Sequence, residues 1–341
     1  MELAYDIQAL LDGYGVPKQK YRNIALWNND GSRIANSDGG INVQELGFEQ
    51  ADIGGETWNA SIVLARKIAR GAVNVTGHCQ CIELGCGTGL LGFTVAHVFA
   101  ESSGIGYSNA SMKSDRVVVM TDYLPTIMAA VKEGAKKNGF FGSGLVKPAL
   151  LDWFGIVEQA QLMKDRDHVP LPRTHYLSES EINDLPNDHV TISNLDPAAS
   201  KGCFDLVVAA DVLYEVEHCL VIPRLVDFLL APAPDHNAGT GDLTVIPKFI
   251  VTTSLRTTHW AEVAAFEAEM ASIPSLVLLS KHDSSRLSDM EEWVETLGVS
   301  HADMVEEAQD KWTDLQKSMD QDKEECARHY RTYMFGRQAL A

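Results

Sequence analysis

The most informative segment of this chain reads Ile82-Glu83-Leu84-Gly85-Cys86-Gly87-Thr88-Gly89-Leu90-Leu91. A short apolar run ends in an acidic residue, glycines follow at alternate positions, and a helical pattern begins at Leu90. Alternate glycines let a chain turn sharply after a strand and bring bare N–H groups against a ligand. The spacing differs from the Gly-x-Gly-x-x-Gly of dinucleotide sites, because residue 90 is leucine. The segment therefore predicts a strand, a ligand-binding loop and a helix.

This glycine loop resembles motif I of the class I, seven-strand methyltransferases. The resemblance implies S-adenosyl-L-methionine as the cofactor and S-adenosyl-L-homocysteine as its product. It also places in the cofactor site the acid of the motif and the loop residues, namely Glu83, Gly85, Cys86, Gly87 and Gly89.

The composition is that of a globular protein that can bury a substantial core. The chain has 341 residues, 45% hydrophobic and 22% charged, and no apolar run long enough to span a membrane. The net charge of −19 argues against nucleic acid as a partner, because a phosphate backbone would be repelled. We therefore expect neither a nucleic-acid nor a membrane partner.

The six cysteines stand at positions 79, 81, 86, 203, 219 and 326, without a Cys-x-x-Cys pair. Reduced thiols in the cytosol are the simplest interpretation, with zinc or disulfides as the alternatives. We expect no metal site and a cytoplasmic protein, with the nucleus as the other compartment.

The middle of the chain alternates strand and helix patterns, which predicts a parallel sheet with crossover helices. The predicted strands cover residues 79–84, 116–121, 145–151, 204–210, 249–254, 275–279 and 330–337. A helix is predicted from Trp58 to Ala69 before the first of them. The fold class is α/β, Rossmann-like, with helices on both faces of the sheet.

Residues 1–54 are predicted to form an N-terminal extension, and residues 55–341 the main domain. In the extension we expect a helix from Glu2 to Leu11 and a hairpin whose strands, Ile24–Trp27 and Ser32–Ile34, flank the turn at residues 28–31. Two insertions are expected in the main domain, at about residues 155–203 and 282–328. Residues 289–325 hold thirteen Asp or Glu against three Lys, which suits a solvated helical face or a surface that attracts a basic protein.

Acidic and aromatic residues follow the predicted strands, at the sheet edge where ligands bind in such folds. Asp122 ends the second strand and could accept hydrogen bonds from ribose hydroxyls, or cap the next helix. Asp152 and Trp153 end the third, where the carboxylate could accept the adenine amine while the indole packs on the base.

The fourth strand of the alternation ends at Ala210, which we place among the cofactor contacts, and is followed by Asp211 and Tyr214. An acid and an aromatic ring three residues apart could position a lysine amine and accept its proton, so both are predicted to be catalytic. The alternative is a helix cap and a core tyrosine. Trp58 could lie against the methionine end of the cofactor or in the core.

Several motifs together resemble methyltransferase family 16, which modifies lysines of translation factors and chaperones. They are Gly55-Glu56-Thr57-Trp58-Asn59-Ala60, the glycine loop, Asp122, Leu151-Asp152-Trp153, Asp211-Val212-Leu213-Tyr214 and Ser254-Leu255-Arg256. The resemblance implies seven strands in the order 3-2-1-4-5-7-6, the last antiparallel. It implies that Trp58, Glu83, Gly85, Asp122 and Trp153 contact the cofactor and that Asp211 and Tyr214 line a lysine channel.

The sequence therefore predicts an S-adenosylmethionine-dependent protein-lysine N-methyltransferase that acts on a cytosolic protein. Two alternatives stay open: a nicotinamide-type methyltransferase of small molecules, and a cofactor-binding assembly partner without activity.

Overall fold

The computed structural model describes residues 20–26, 40–102, 116–159, 193–233, 245–256, 259–285 and 329–338. Several predicted features lie outside these residues: the helix at 2–11, the hairpin strand at 32–34, most of the first insertion and the acidic segment 289–325. None of the described helices is both long and apolar enough to cross a lipid bilayer.

The strands are β1 (Lys20–Ile24), β2 (Ile41–Glu45), β3 (Gln80–Leu84), β4 (Val117–Asp122), β5 (Val146–Leu150), β6 (Ser193–Asn194), β7 (Leu206–Ala210), β8 (Lys248–Ser254), β9 (Leu276–Ser285) and β10 (His329–Arg337). The α-helices are α1 (Phe48–Ala51), α2 (Asn59–Ala69), α3 (Leu90–Ser102), α4 (Pro125–Lys137), α5 (Trp153–Gln159), α6 (Pro197–Ser200), α7 (Val216–Leu229) and α8 (Trp260–Ala271). A short 3₁₀ helix, Asp52–Gly55, precedes α2.

Eight strands form one sheet in the order β6-β5-β4-β3-β7-β8-β10-β9. The pairs from β6 to β8 are parallel, and β10 runs antiparallel to both β8 and β9. The predicted α/β class with a mostly parallel sheet is confirmed. The seven longer strands follow the predicted order, but the two-residue strand β6 adds an edge that the prediction lacked.

Helices cover both faces of this sheet, as predicted. The alternation of side chains along β3 sends Cys81 into one hydrophobic cluster and Ile82 into the other. The first cluster includes residues of α2, α3 and α4, and the second includes residues of α5, α7 and α8. Because its strands are buried on both faces, the sheet tolerates apolar runs such as Leu206–Ala210.

The N-terminal hairpin differs from the prediction. β1 ends at Ile24 and pairs antiparallel with β2, so the predicted strand Ile24–Trp27 is wrong at Ala25 and Leu26. Leu26 is fully buried in the cluster beneath α2 to α4 instead. Asn138 at the end of α4 bonds the backbone N–H and C=O of Asn42 at 2.8 and 2.7 Å, which fixes β2 to the main body.

The predicted limits of the two insertions also need correction. Helix α5 continues to Gln159, and β6 and α6 lie within the predicted 155–203 segment. Strand β9 continues to Ser285, past the start of the second predicted insertion, because β10 extends its ladder as far as His329. None of these changes alters the parallel pairing of β3, β4, β5, β7 and β8, whose carboxyl ends therefore lie along the same side of the sheet, its carboxyl edge.

Candidate functional site

The glycine loop turns directly after β3 through a left-handed backbone. Gly85, Gly87 and Gly89 have φ values of +63°, +50° and +82°, a region that residues with a Cβ rarely adopt. A Cβ on Gly85 would lie 3.0 Å from both the Trp153 ring and Val212. The predicted roles of these glycines therefore rest on backbone that only glycine adopts at low cost.

The loop is tied to β4 and to its own next turn. The Cys86 N–H donates to the Thr121 carbonyl at 2.8 Å, and the Gly89 N–H donates to the Cys86 carbonyl at 2.8 Å. Cys86 is buried, and burial raises the pKa of its thiol well above the ordinary value. The thiol therefore stays protonated at neutral pH and packs as an apolar group beneath the loop. The contact of Cys86 with the cofactor stays a prediction.

Asp122 lies under the same loop at the end of β4. Its Oδ2 accepts the Gly87 N–H at 3.2 Å and its Oδ1 accepts the Leu124 N–H at 3.2 Å. The side chain is buried, and burial raises the pKa of Asp122 from 3.8 to about 6, against the opposing effect of these backbone donors. Such a carboxylate gains from any further hydroxyl donor that reaches it.

The raised pKa of Asp122 predicts a pH dependence of stability. Between about pH 4 and pH 6 the folded chain keeps a proton that the unfolded chain loses, so the free energy of unfolding falls as pH rises, by up to about 3 kcal/mol. Asp122→Asn removes this titration. We expect the variant to lose less stability than the native chain across that window, measured by urea unfolding at four pH values. Parallel curves for the two proteins would contradict the assignment.

Glu83 stands near the end of β3, directly before the glycine loop. It is buried within β3, and its Oε2 accepts the Gly92 N–H at 3.0 Å in the first turn of α3. Burial raises the pKa of Glu83 well above the ordinary value. Its visible role is to hold the start of α3 against the loop, and a contact with the cofactor stays a prediction.

Asp152 and Trp153 bring the end of β5 to the glycine loop. Asp152 Oδ1 accepts the Phe154 N–H at 3.0 Å, so the carboxylate caps the start of α5. The Trp153 ring lies against Gly85. Its Nε1 is buried and finds no hydrogen-bond acceptor among the described residues, which is unusual for a buried indole.

The two predicted catalytic residues follow β7. Asp211 has a φ of +56°, which is uncommon for a residue other than glycine. Its Oδ1 accepts the Ser254 N–H at 3.1 Å, and its Oδ2 accepts the Ser254 hydroxyl at 3.0 Å. The Tyr214 ring lies 4.6 Å from the His218 ring, edge to face. Ala210, half-buried at the strand end, packs against Ala60, Val63 and Tyr330.

Trp58 stands at the start of α2 with 38% of its surface exposed. Its Nε1 donates to the Ile53 carbonyl at 2.7 Å, so it is not a core residue. The Arg256 guanidinium lies over its ring at 5.3 Å and bonds Asp211 Oδ2 at 3.3 Å. This arginine therefore connects the residue predicted to meet the methionine end of the cofactor with a residue predicted to be catalytic.

The contacts join the predicted site residues in two groups, which also include three residues without a predicted role. One group runs from the glycine loop through Trp153 to Tyr214, and the other runs from Trp58 to Asp211. His218 lies between the rings of Trp153 and Tyr214, at 5.2 and 4.6 Å. Ser254 and Arg256 hold Asp211. His218 lies in the first turn of α7, which begins at Val216, two residues after Tyr214. Arg256 lay within a quoted motif, but its partners only become visible across the sheet.

The residues present fit an adenosyl sulfonium cofactor. Asp122, under the glycine loop, holds a buried carboxylate for which ribose hydroxyls are suitable donors. The buried Nε1 of Trp153 needs an acceptor, and ring nitrogens of a purine are acceptors. Trp58, Asp122 and Trp153 are the side chains that would hold such a group.

Comparison with known families agrees with this fit. Residues 36–171 match the lysine methyltransferase family. The match confirms the predicted resemblance to methyltransferase family 16, and with it an S-adenosylmethionine-dependent methyltransferase as the enzyme class. The matched segment contains Trp58, the glycine loop, Asp122, Asp152 and Trp153, whereas Asp211 and Tyr214 lie beyond it. No curated protein sequence matches the chain.

Solved methyltransferase structures are similar to the chain at low identity. The O-methyltransferase from Bacillus cereus in complex with SAH is 8% identical, with 85% of this chain and 86% of that chain covered and a TM-score of 0.40. Coclaurine N-methyltransferase bound to N-methylheliamine and SAH is 10% identical, with 82% and 70% covered and a TM-score of 0.39. These likenesses carry no inference about the acceptor.

Proposed function

We propose that this chain transfers a methyl group from S-adenosylmethionine to the side-chain amine of a lysine in another protein. The observation that carries the proposal is the match of residues 36–171 to the lysine methyltransferase family. Asp211 and Tyr214 lie outside that match and support it independently. They stand at the carboxyl edge of the sheet, next to the glycine loop, where a doubly wound fold places its ligands.

The bound cofactor supplies a methyl group on a sulfonium, from which an amine lone pair can take it while the electrons of the C–S bond pass to sulfur. The residues of the chain would bind and orient the amine for this transfer. In the proposal, Tyr214 lines one side of the approach and Trp58 the other, with Asp211 between them as the charged group. The exposed edge of Trp58 leaves the approach open to water, to which the lysine ammonium can lose its proton before the amine binds.

A protein acceptor is supported by the surface around this edge. Large apolar side chains are exposed there, at Phe48 (71%), Tyr123 (49%), Val216 (40%) and Trp260 (51%). Exposed aromatic residues near a binding cleft are more typical of a surface that meets another macromolecule than of a closed pocket for a metabolite. The free thiols of the described cysteines agree with a reducing compartment, so the cytosol is the compartment we propose.

Incubation of the purified chain with methyl-labelled S-adenosylmethionine and a cytosolic extract tests the proposal. We expect a discrete labelled protein, and alkali-stable label on lysine after hydrolysis. Label in the small-molecule fraction alone would contradict a protein acceptor and favour the nicotinamide-type alternative. Calorimetric binding of S-adenosylhomocysteine without any labelled product would contradict catalysis and leave the assembly-partner alternative.

A further inference from the structure

Arg256 is a charged residue beside the predicted catalytic residues to which the proposed function assigns no role. It follows β8 by two residues, with a quarter of its side chain exposed, and it contacts Trp58 and Asp211 at once. The Asp211 carboxylate is 8% exposed and accepts three hydrogen bonds, two from Ser254 and one from Arg256. The carboxylate is therefore already neutralised and bonded within the chain itself.

This arrangement matters because of the charge of a lysine. A lysine amine in water has a pKa of about 10.4, and only its neutral form has a lone pair for attack. A lone carboxylate beside the amine would raise that pKa further and hold the unreactive ammonium form. A guanidinium at the same place has the opposite effect, as in other sites where a second cation activates a lysine.

We propose that Arg256 causes the site to bind the acceptor lysine as the neutral amine. It does so by cancelling the charge of Asp211 and by placing its own cation over Trp58. The inference rests on the proposed function and deepens it. Asp211 then acts as a hydrogen-bonding and orienting group, while the net charge around the amine stays near zero. The proton leaves before the amine is seated, so no general base is needed inside the site.

The test compares Arg256→Met, which keeps an apolar stem on Trp58, with Arg256→Lys, which keeps the cation. Initial rates of label transfer to the protein band are measured from about pH 7 to about pH 11. For Arg256→Met we expect a rate about tenfold lower than that of the native chain from about pH 7 to about pH 9.5, because a shift of one pKa unit changes the neutral fraction tenfold, and a gap that closes only as the pH passes the lysine pKa of about 10.4. Arg256→Lys should stay close to the native profile.

Other titratable groups stand on the elements around this pair, and the design must separate them from Arg256. They are Glu56 before α2, Tyr214 and Glu215 after β7, His259 before α8 and His329 at the start of β10. Both variants retain all of these groups, so the difference between the methionine and lysine profiles reports the charge at position 256. Calorimetric affinity for S-adenosylhomocysteine and the unfolding temperature check that neither variant has lost the cofactor site or the fold.

The outcomes separate this inference from the proposed function. A loss in Arg256→Met that is the same at every pH would mean a structural role and overturn the inference, as would an unchanged or a higher rate. Either result leaves lysine methylation by the native chain standing. A native chain that labels no protein would overturn the proposed function, and the role of Arg256 with it.

Discussion

Replacement of Asp122 by alanine is expected to weaken S-adenosylhomocysteine binding by at least about 100-fold while the fold is kept, since each hydrogen bond to a charged group contributes about 1.5–3 kcal/mol. The Asp122 carboxylate lies under the glycine loop, where it accepts the Gly87 N–H at 3.2 Å. Alanine removes both this bond and the acceptor that ribose hydroxyls would use. Isothermal titration calorimetry measures the affinity, and circular dichroism checks the fold.

A matched control lies at the opposite end of β3. Asp205 accepts the N–H groups of Cys79 and Gln80, each at 2.9 Å, at the amino edge of the sheet. Asp205→Ala therefore removes a carboxylate with comparable backbone contacts, and we expect a loss of stability without a loss of cofactor affinity. Equal affinities of Asp122→Ala and the native protein for S-adenosylhomocysteine would contradict the role of Asp122. Equal losses of affinity in Asp122→Ala and Asp205→Ala would indicate a structural effect only.

The pH dependence of binding gives a second check on the same residue. Because burial holds the pKa of Asp122 at about 6 in the empty site, hydroxyl donors that stabilise its charged form should lower that pKa on binding. Binding near pH 6 should then release a fraction of a proton, which calorimetry in buffers of different ionisation enthalpy detects. Asp122→Asn should abolish this release.

The parts of the fold that the sequence predicted are those with strong local signals. Apolar runs marked β3, β4, β7 and β8 because strands covered on both faces need them, and the spacing of Gly85, Gly87 and Gly89 marked the loop because only glycine adopts its backbone cheaply. The hairpin was misplaced because the apolar residues at 24–27 include Leu26, which is buried in the core rather than paired in a strand. A short apolar run does not distinguish a paired strand from an irregular segment buried in the core.

The sequence predicted which site residues follow each strand, but not which residues from neighbouring strands contact each other. Asp122, Trp153 and Asp211 each follow a strand, so the topology alone brings them to one edge. The ion pair of Arg256 with Asp211 depends on the register of β8 beside β7, and no local pattern encodes that register. The hydrogen bond from the Gly92 N–H to Glu83 is likewise visible only in the folded chain, and the contact of Glu83 with the cofactor stays a prediction.

Asp211→Asn is expected to reduce methyl transfer by about 100-fold, because the lost pairing with Arg256 leaves the acceptor amine out of position, and a small displacement costs about that much in rate. Asparagine is the sharper substitution here because it tolerates the left-handed φ of +56° and still offers an oxygen to the Ser254 N–H. It lacks the charge that pairs with Arg256. Asp211→Ala loses the same charge and also the side-chain oxygen that bonds Ser254, so alanine meets the cost of the left-handed backbone, about 1 kcal/mol, without a compensating bond. Stability measurements should therefore separate the two variants while activity does not.

The control for Asp211 is Ser254→Ala, which removes one donor to the same carboxylate and leaves its charge and its Arg256 partner in place. We expect it to lower the free energy of unfolding by about 1.5–3 kcal/mol, the worth of a hydrogen bond to a charged group, and to reduce the rate far less than Asp211→Asn, because the Ser254 N–H and Arg256 still hold the carboxylate. Full turnover by Asp211→Asn, with an unchanged affinity for S-adenosylhomocysteine, would contradict the assigned role.

If Arg256 acts through Asp211, the effects of Asp211→Asn and Arg256→Met should not add in the double variant, because removing either residue already breaks the pair. Additive losses would mean that the two residues act separately on the acceptor, and would return Asp211 to the role of a carboxylate that binds the lysine by itself.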